Sequence, residues 1–398
     1  MKLKRLFIIT AVSCAIFSGG TFGYALGLRA QAYMAYIRKD HKRALQLYYQ
    51  IGDRSGCGMV MLALNDPDRA MEFFKEGNDK SGMGLCCAKK KHLQKALLAF
   101  SDGNDKRGMG LTYLGLRDAD QAKKCFSDAN DWSGLGLVCL TKKDYEGARK
   151  CFAKVKDYSG LGNTALEEGK YDEAMKHFSK INDDSGLGLV ALERNQYNKA
   201  VKHFLKARDY SGLGKVYLAL SDFNRAERYF LMGYDYDGLG DMYFKLHQFA
   251  KAREAFARDF NPHKVMQSYR NDYTLPDRHQ QALDYGQDAV ARGDMAPECL
   301  LEIADIYYEL KRFDDALSAL DRASGYEGYD SEVHLRRGRI YFYLRRLREA
   351  RGEFLRVKND DLAHPDIYAG ARSALAAVER YLSLPPETIQ HLKPAQSY

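Results

Sequence analysis

Residues 133–158 read SGLGLVCLTKKDYEGARKCFAKVKDY, and nine consecutive copies of this 26-residue unit run from Arg29 to Pro262 without a change of phase. Each copy carries an alanine, with an aromatic residue four positions later, at Ala44, Ala70, Ala96, Ala122, Ala148, Ala174, Ala200, Ala226 and Ala252. A fixed period of this length is the signature of a solenoid, in which each unit buries its apolar face against its neighbours. We therefore expect units that touch only their nearest neighbours, and an elongated molecule.

Each unit predicts two short antiparallel helices, because apolar residues recur at helical spacing on both sides of a polar break at 142–144. Asp131 stands just before the first helix. Its carboxylate is placed to accept free amide protons of the first turn, which stabilises a helix by ~1 kcal/mol. Equivalent aspartates are Asp53, Asp79, Asp105, Asp157, Asp183, Asp209 and Asp235.

A glycine recurs inside the first helix, where it costs roughly 1 kcal/mol relative to alanine and so requires a packing reason. The column contains Gly58, Gly84, Gly110, Gly136, Gly162, Gly188, Gly214 and Gly240. We expect these glycines to contact the second helix at the alanine column. The aromatic column should fill the space between units.

The period lengthens to 34 residues after His263, where Ala282, Ala316 and Ala350 form one column and Tyr273, Tyr307 and Tyr341 another. This pattern resembles the tetratricopeptide repeat, with Pro297 and Pro365 placed as first helical residues. The resemblance covers residues 263–364, although Arg270 occupies the small-residue column. Residues 29–262 look like the same repeat shortened, since the separations of twelve and four residues within each unit are identical.

The resulting prediction is an all-α, right-handed tetratricopeptide-like α-solenoid of about twelve helix-turn-helix units with an N-terminal membrane helix. The predicted segments are a membrane anchor or signal segment at 1–28, nine short repeats at 29–262, three longer repeats at 263–364, and a capping helix with a tail at 365–398.

The N-terminal segment lacks charge from Phe7 to Leu28 and follows Lys2, Lys4 and Arg5. Its length would span ~30 Å of hydrocarbon, which predicts a single-pass anchor. A cleavable signal peptide and a lipoprotein are the alternatives. The preceding charges predict a cytoplasmic N-terminus and an extracytoplasmic or periplasmic solenoid. A stripe of small residues predicts packing between membrane helices, hence a homo-oligomer, through Ala15, Gly19, Gly23 and Gly27.

No catalytic residue, cofactor site or metal site is predicted from the sequence. The SGLG segments recur in successive units, whereas a phosphate-binding loop occurs once. His177 and His203 share a column with Cys125 and Cys151, which favours packing over metal binding. We expect the cysteines to be small buried side chains, with a disulfide between neighbouring helices as the alternative.

Tetratricopeptide solenoids bind partners in a concave groove lined by their first helices, and the resemblance implies the same groove here. The residue after the repeated glycine would line it, and this row changes from apolar to polar along the chain. The row consists of Tyr33, Met59, Leu85, Leu111, Leu137, Asn163, Leu189, Lys215 and Asp241. Packing between adjacent first helices is the alternative role for these residues.

The formal net charge is +8, and most of it lies between Arg336 and Lys358. This window is either a solvated face or a contact for an acidic protein, an anionic lipid or an anionic wall polymer. Its candidate residues are Arg336, Arg337, Arg345, Arg346 and Arg348. Nucleic acid is not expected, because no aromatic stacking platform accompanies the charge.

These features predict a non-enzymatic, membrane-anchored scaffold of the cell envelope that binds other proteins. The alternatives are a glycan-binding, lipid-binding or structural envelope protein, or a subunit of an envelope enzyme complex.

Overall fold

The computed structural model describes residues 21–326, 328–357 and 365–383. These residues form 25 α-helices and, within those ranges, no β-strand. The helices of the short repeats are α1 Thr21–Ile37, α2 His41–Gln50, α3 Arg54–Ala63, α4 Pro67–Glu76, α5 Lys80–Lys89, α6 Leu93–Asp102, α7 Lys106–Gly115, α8 Ala119–Asp128, α9 Trp132–Thr141, α10 Tyr145–Lys154, α11 Tyr158–Glu167, α12 Tyr171–Lys180, α13 Asp184–Glu193, α14 Tyr197–Ala207, α15 Tyr210–Ala219, α16 Phe223–Gly233, α17 Tyr236–Lys245 and α18 Phe249–Arg258. The remaining helices are α19 Pro262–Arg270, α20 Arg278–Arg292, α21 Ala296–Glu309, α22 Phe313–Ala323, α23 Asp330–Tyr343, α24 Leu347–Arg356 and α25 Pro365–Leu382.

The helices form twelve consecutive pairs followed by α25, and the predicted all-α solenoid is confirmed for the described residues. The chain divides into two compact parts, a first unit at Met1–Met83 and a second unit at Gly84–Tyr398, and each contains more than one helical repeat. The division falls within α5. Within the first unit α3 packs against α4, and within the second unit α9 packs against α10, in each case the first helix of a pair against the second.

The predicted membrane segment, 7–28, lies largely outside the described residues. Ala15 and Gly19 fall before the description begins, while Gly23 and Gly27 belong to α1. A Cβ atom added at Gly27 would meet no atom within 4 Å. Of the helices in the described ranges, none combines the length and the apolar character needed to cross a membrane.

The predicted aspartate caps are confirmed. Asp131 Oδ1 accepts a hydrogen bond from the Gly134 amide at 3.0 Å. The same bond recurs from the corresponding glycine to Asp53, Asp79, Asp105, Asp157, Asp183, Asp209 and Asp235. One amide of the first turn is thereby satisfied in each of these units.

The repeated glycines contact the second helix, as expected, and the side chain nearest to them is its aromatic ring rather than its alanine. A Cβ atom at Gly136 would lie 2.6 Å from the Phe152 ring of the same unit. A Cβ atom at Gly160, on the next first helix, would lie 2.3 Å from the same ring. Phe152 therefore fills a slot between two glycines, and it is 1% exposed. Ala148 is fully buried beside it.

This slot is repeated along both units. In the first unit, Phe74 lies between Gly58 and Gly82. In the second unit, the corresponding rings with a glycine on either side are Phe100, Phe126, Phe178, Phe204 and Phe230. In each SGLG segment, the first glycine therefore packs against the ring of the preceding repeat. The second glycine packs against the ring of its own repeat.

Contacts within the second unit are not confined to neighbouring repeats, so the expectation that repeats touch only their nearest neighbours is wrong. Lys91 Nζ lies 2.9 Å from Asp259 Oδ2, and 168 residues separate the two. The 26-residue period specifies how adjacent units pack. It does not specify how strongly the chain of repeats curves, and this curvature brings together repeats that are far apart in sequence.

The glycine slot makes opposite predictions for two glycine-to-alanine variants. Gly136→Ala should lower the free energy of unfolding by ~1–3 kcal/mol because the added methyl overlaps the Phe152 ring. Gly352→Ala in α24 should raise it by up to about 1 kcal/mol, because a Cβ there meets no atom within 4 Å and alanine favours a helix. Thermal and denaturant unfolding would compare the two. Equal effects of the two variants would contradict the slot.

Candidate functional site

The first helices form the inner side of the second unit. Successive first helices contact one another, as α7 does with α9, α9 with α11 and α13 with α15. Each second helix instead packs between its own first helix and the next, as α10 does with α9 and α11. Since the first helices approach each other more closely than the second helices, the chain curves towards them.

The predicted groove row lies on these first helices. Within the second unit, Leu85, Leu111, Leu137, Asn163 and Leu189 are half-buried. The leucines divide their surface between core and solvent, since Leu137 also packs against the cluster around Ala148 and Phe152. The predicted groove role and the alternative packing role therefore both have a structural basis.

The remaining row members differ in exposure. Lys215 and Asp241, in the second unit, are exposed, while Tyr33 and Met59, in the first unit, are half-buried. No contact of the row with a partner is present to test the predicted role, which stays a prediction.

An ion pair marks the polar end of the row. Lys264 Nζ lies 2.8 Å from Asp241 Oδ1 and 2.8 Å from Asp237 Oδ1. Burial alone would lower the pKa of Lys264, but the two carboxylates outweigh it and raise that pKa. The inner side thus changes from leucine to paired charges between the seventh repeat, which contains Leu189, and the tenth, which contains Lys264.

Hydrogen bonds between successive first helices run beside the row and were not anticipated from the sequence. Ser133 Oγ donates to Asp157 Oδ2 at 2.9 Å, and Arg107 Nε donates to Asp131 Oδ2 at 2.7 Å. In these repeats, Oδ1 of the capping aspartate accepts a hydrogen bond from its own helix. Oδ2 of the same aspartate accepts one from a side chain of the preceding repeat. The available signal was the polar residue two positions after each capping aspartate.

A buried carboxylate lies where the short repeats give way to the long ones. Glu302 on α21 contacts Arg270 Nη1 at 2.6 Å and His263 Nε2 at 3.3 Å, both on α19. Burial would raise the pKa of Glu302, but His263 and Arg270 outweigh it and lower the pKa to about 2. The sequence signal was Arg270 in a column of small residues.

The basic window is largely occupied by ion pairs within the chain. Arg336 binds Asp305 through Nε and Nη2, both at 3.0 Å, and Arg337 pairs with Asp321. Arg346 pairs with Glu349 in the first turn of the following helix, α24.

The other two candidate arginines, Arg345 and Arg348, are placed differently. Arg345 lies 5.6 Å from the centroid of the Tyr381 ring, and Arg348 is exposed. The five arginines lie on α23, on α24 and in the turn that connects these two helices, and they do not converge on a single point. Binding of an anionic partner stays a prediction.

The histidine column provides contacts of a structural kind. His177 stacks on Tyr158 with 6.1 Å between ring centroids, and His203 Nδ1 lies 3.1 Å from Asp184 Oδ1. Over the described ranges, no group of three or more potential metal-ligating side chains was found.

The cysteines of the described residues are buried or half-buried and form no disulfide; they are Cys57, Cys86, Cys87, Cys125, Cys139, Cys151 and Cys299. Burial is the main cause that raises the pKa of the Cys139 thiol, and the neighbouring Cys151 raises it further. The raised pKa disfavours the reactive thiolate.

The Glu302 cluster predicts a specific loss of stability in acid. A carboxyl group whose folded-state pKa is depressed stabilises the fold above its ordinary pKa of 4.5, and this contribution disappears as pH falls towards 2. Glu302→Gln should therefore cost about 3 kcal/mol at pH 7 and much less at pH 3. The exposed Glu254→Gln should cost under about 0.5 kcal/mol at either pH. Denaturant unfolding at both pH values would measure the difference, and a cost independent of pH would contradict the assigned pKa.

Comparison with known proteins places this architecture in context. Residues 277–330 and 301–364 match the family model of the tetratricopeptide repeat. The crystal structure of yeast Tom70 shares 14% identity at a TM-score of 0.48, with 94% of this chain and 100% of that chain covered. The APC/C hetero-tetramer Cut9–Hcn1 shares 13% identity at a TM-score of 0.34, with 89% and 96% covered. No curated protein matches the sequence significantly.

The two structural likenesses are too weak in identity and superposition to support a functional argument. The family match stands independently of them, and it falls on the helix pairs whose columns resemble the standard repeat. Residues 277–364 are therefore tetratricopeptide repeats, and the described chain is a tetratricopeptide-like α-solenoid.

Proposed function

We propose that this chain is a scaffold that binds other proteins along the inner side of its first helices. The observation that carries the proposal is the row of half-buried leucines on that side, one per unit at Leu85, Leu111, Leu137 and Leu189. Each leaves part of an apolar side chain accessible at a regular spacing. A repeated apolar surface of this kind suits a protein partner, whose interface cores are apolar with a polar rim.

The charged end of the row adds direction to the proposed surface. Lys215 is exposed, and the paired Lys264 and Asp241 follow it. A partner that contacts both ends would meet leucines first and charges afterwards, which fixes its orientation along the row.

The inner row is best tested at positions where a variant leaves the core intact. Lys215→Glu combined with Asn163→Arg should weaken binding of partners captured from cells of the source organism, because both side chains lie in the row. Lys150→Glu is the matched control, since Lys150 is exposed on the second helix α10.

Affinity would be measured for each captured protein by titration of purified components. A loss of tenfold or more that is specific to the row variant supports the proposal. Equal affinity for the row variant and the control would contradict it, and circular dichroism would confirm that both remain folded.

We further propose that the scaffold is anchored in a membrane by 7–28, with the solenoid on the extracytoplasmic side of the cell envelope. The uncharged run and the preceding Lys2, Lys4 and Arg5 support this location. The stripe that includes Gly19, Gly23 and Gly27 supports association between anchors.

The anchor can be tested with Gly23→Ile, because isoleucine is at least as apolar as glycine but fills the small-residue stripe. We expect the native chain and the variant to stay in the membrane pellet after alkaline extraction, and the variant to self-associate less in a membrane two-hybrid assay. Release of the native chain at high pH, or a mature N-terminus beyond Leu28, would refute the anchor.

A further inference from the structure

Three polar contacts join parts of the second unit that are far apart in sequence. The first lies between the third and ninth repeats, where Lys91 Nζ and Asp259 Oδ2 are 2.9 Å apart. Lys90 Nζ lies 5.8 Å from the centroid of the adjacent Phe260 ring. The 168 residues between Lys91 and Asp259 are about six and a half short repeats. That number of repeats therefore completes one turn of the superhelix.

The second contact continues along the same edge. His92 Nε2 lies 2.5 Å from Asp294 Oδ1, and Lys95 Nζ reaches the Arg292 carbonyl oxygen at 3.5 Å. Both residues on the near side belong to the start of α6, and both on the far side belong to the connection between α20 and α21.

The third contact is the most enclosed. Arg117, in the turn after α7, pairs with Glu332, and its guanidinium lies 4.5 Å from the centroid of the Tyr329 ring. A Cβ atom at Gly328 would lie 2.7 Å from Arg117 Cβ, and Gly328 has a φ of +80°. Tyr329 and Glu332 are buried, at 2% and 5% exposure. Glycine is therefore favoured at position 328 both by its backbone conformation and by the close approach of Arg117.

These contacts form a seam, defined by residues 90–95 and 117 on one side and by 259–260, 292–294 and 328–332 on the other. Both sides of the seam progress in the same direction along the chain. The near side advances by one repeat from Lys91 to Arg117, while the far side passes through three successive connections, α18–α19, α20–α21 and α22–α23. A chance contact at a single point would not show this progression.

The seam differs in chemistry from the packing between neighbouring units. The latter rests on apolar clusters of successive helices, such as the one around Phe126 on α7–α9 and the one around Phe152 on α9–α11. The seam is built mainly from polar and charged contacts, and the side chains of Lys91 and Arg117 keep 28% and 34% of their surface accessible to solvent. Burial of apolar surface is the main driving force of folding, whereas partly exposed charge pairs stabilise a fold much less.

We propose that the seam is a latch, which holds one superhelical turn of the second unit closed against the next and can open without unfolding the helix pairs. When the latch is closed, six to seven first helices at the usual ~8–10 Å separation encircle a space roughly 20 Å across between helix axes. A folded domain of 100 residues, about 30 Å across, does not fit that space. The closed latch therefore limits access to the inner row, a consequence that rests on the proposed scaffold function.

The closed state can be detected in the native full-length chain with a carbodiimide, which joins a lysine amine directly to a touching carboxylate. We expect a Lys91–Asp259 cross-link in the monomeric fraction, identified by mass spectrometry of the digested protein. Lys142–Asp120, a pair of adjacent units at 3.1 Å, is the positive control. Formation of the control link without the Lys91–Asp259 link would show that the seam is not closed in solution.

Charge reversal tests whether the seam opens independently of the fold. Lys91→Asp combined with Arg117→Asp should abolish the cross-link at Asp259 and raise the radius of gyration in small-angle scattering, while helix content by circular dichroism stays unchanged. Adding the compensating changes Asp259→Lys and Glu332→Lys should restore the native radius. Lys142→Asp is the matched control and should leave the radius unchanged.

Two results would overturn the latch. An unchanged radius after charge reversal would mean that other contacts hold the turns together. A loss of helix content would mean that the seam is part of the folding core. Neither measurement requires a binding partner, so failure of the latch is distinguishable from failure of the proposed scaffold function.

Discussion

The packing of one phenylalanine ring between two glycines is the contact on which the solenoid depends. Phe152 fills the gap between Gly136 of its own first helix and Gly160 of the next, and a methyl group on either glycine would overlap the ring. The ring is thereby bound to two first helices at once. Because the same slot recurs from unit to unit, the spacing of successive first helices is repeated, and so is the curvature that a repeated spacing produces.

Two kinds of polar contact add to this apolar packing, one between neighbouring repeats and one between superhelical turns. Between neighbours, a capping aspartate such as Asp157 holds its own helix with one oxygen and Ser133 of the preceding unit with the other. Between turns, the seam joins residues such as Lys91 and Asp259. The apolar slots fix the geometry within a turn, while charged groups connect one turn to the next. The inner row is therefore fixed by the apolar packing of the fold, whereas its enclosure depends on the charged contacts of the seam.

The period of the sequence was sufficient to predict the features that repeat. Helix pairs, the aspartate caps and the all-α solenoid all follow from the 26-residue spacing, because each is a local property of one unit. The contact of Gly136 with the second helix was predicted, but the Phe152 ring as its nearest neighbour was not. A helical period shows which face a residue occupies, but not which side chain opposite it extends furthest.

Features that occur once were not predictable in the same way. The seam depends on the accumulated curvature of several units, so no local pattern indicates that Arg117 meets Glu332. The pairing of Arg336 with Asp305 likewise lies between helices of different units and neutralises a charge that the sequence alone left unpaired. Arg270 was visible in the sequence only as a departure from the small-residue column, and the structure shows its partner to be the buried Glu302.

A double-mutant cycle between Gly136 and Phe152 tests the central claim most directly. The ring atoms closest to a Cβ at Gly136 are Cε1 and Cζ of Phe152, and leucine lacks both. The account predicts that Gly136→Ala costs clearly less in a Phe152→Leu background than in the native chain, with a coupling of about 1 kcal/mol or more in the free energy of unfolding. Additive effects of the two substitutions would contradict it, because the glycine would then be needed for some reason other than the ring.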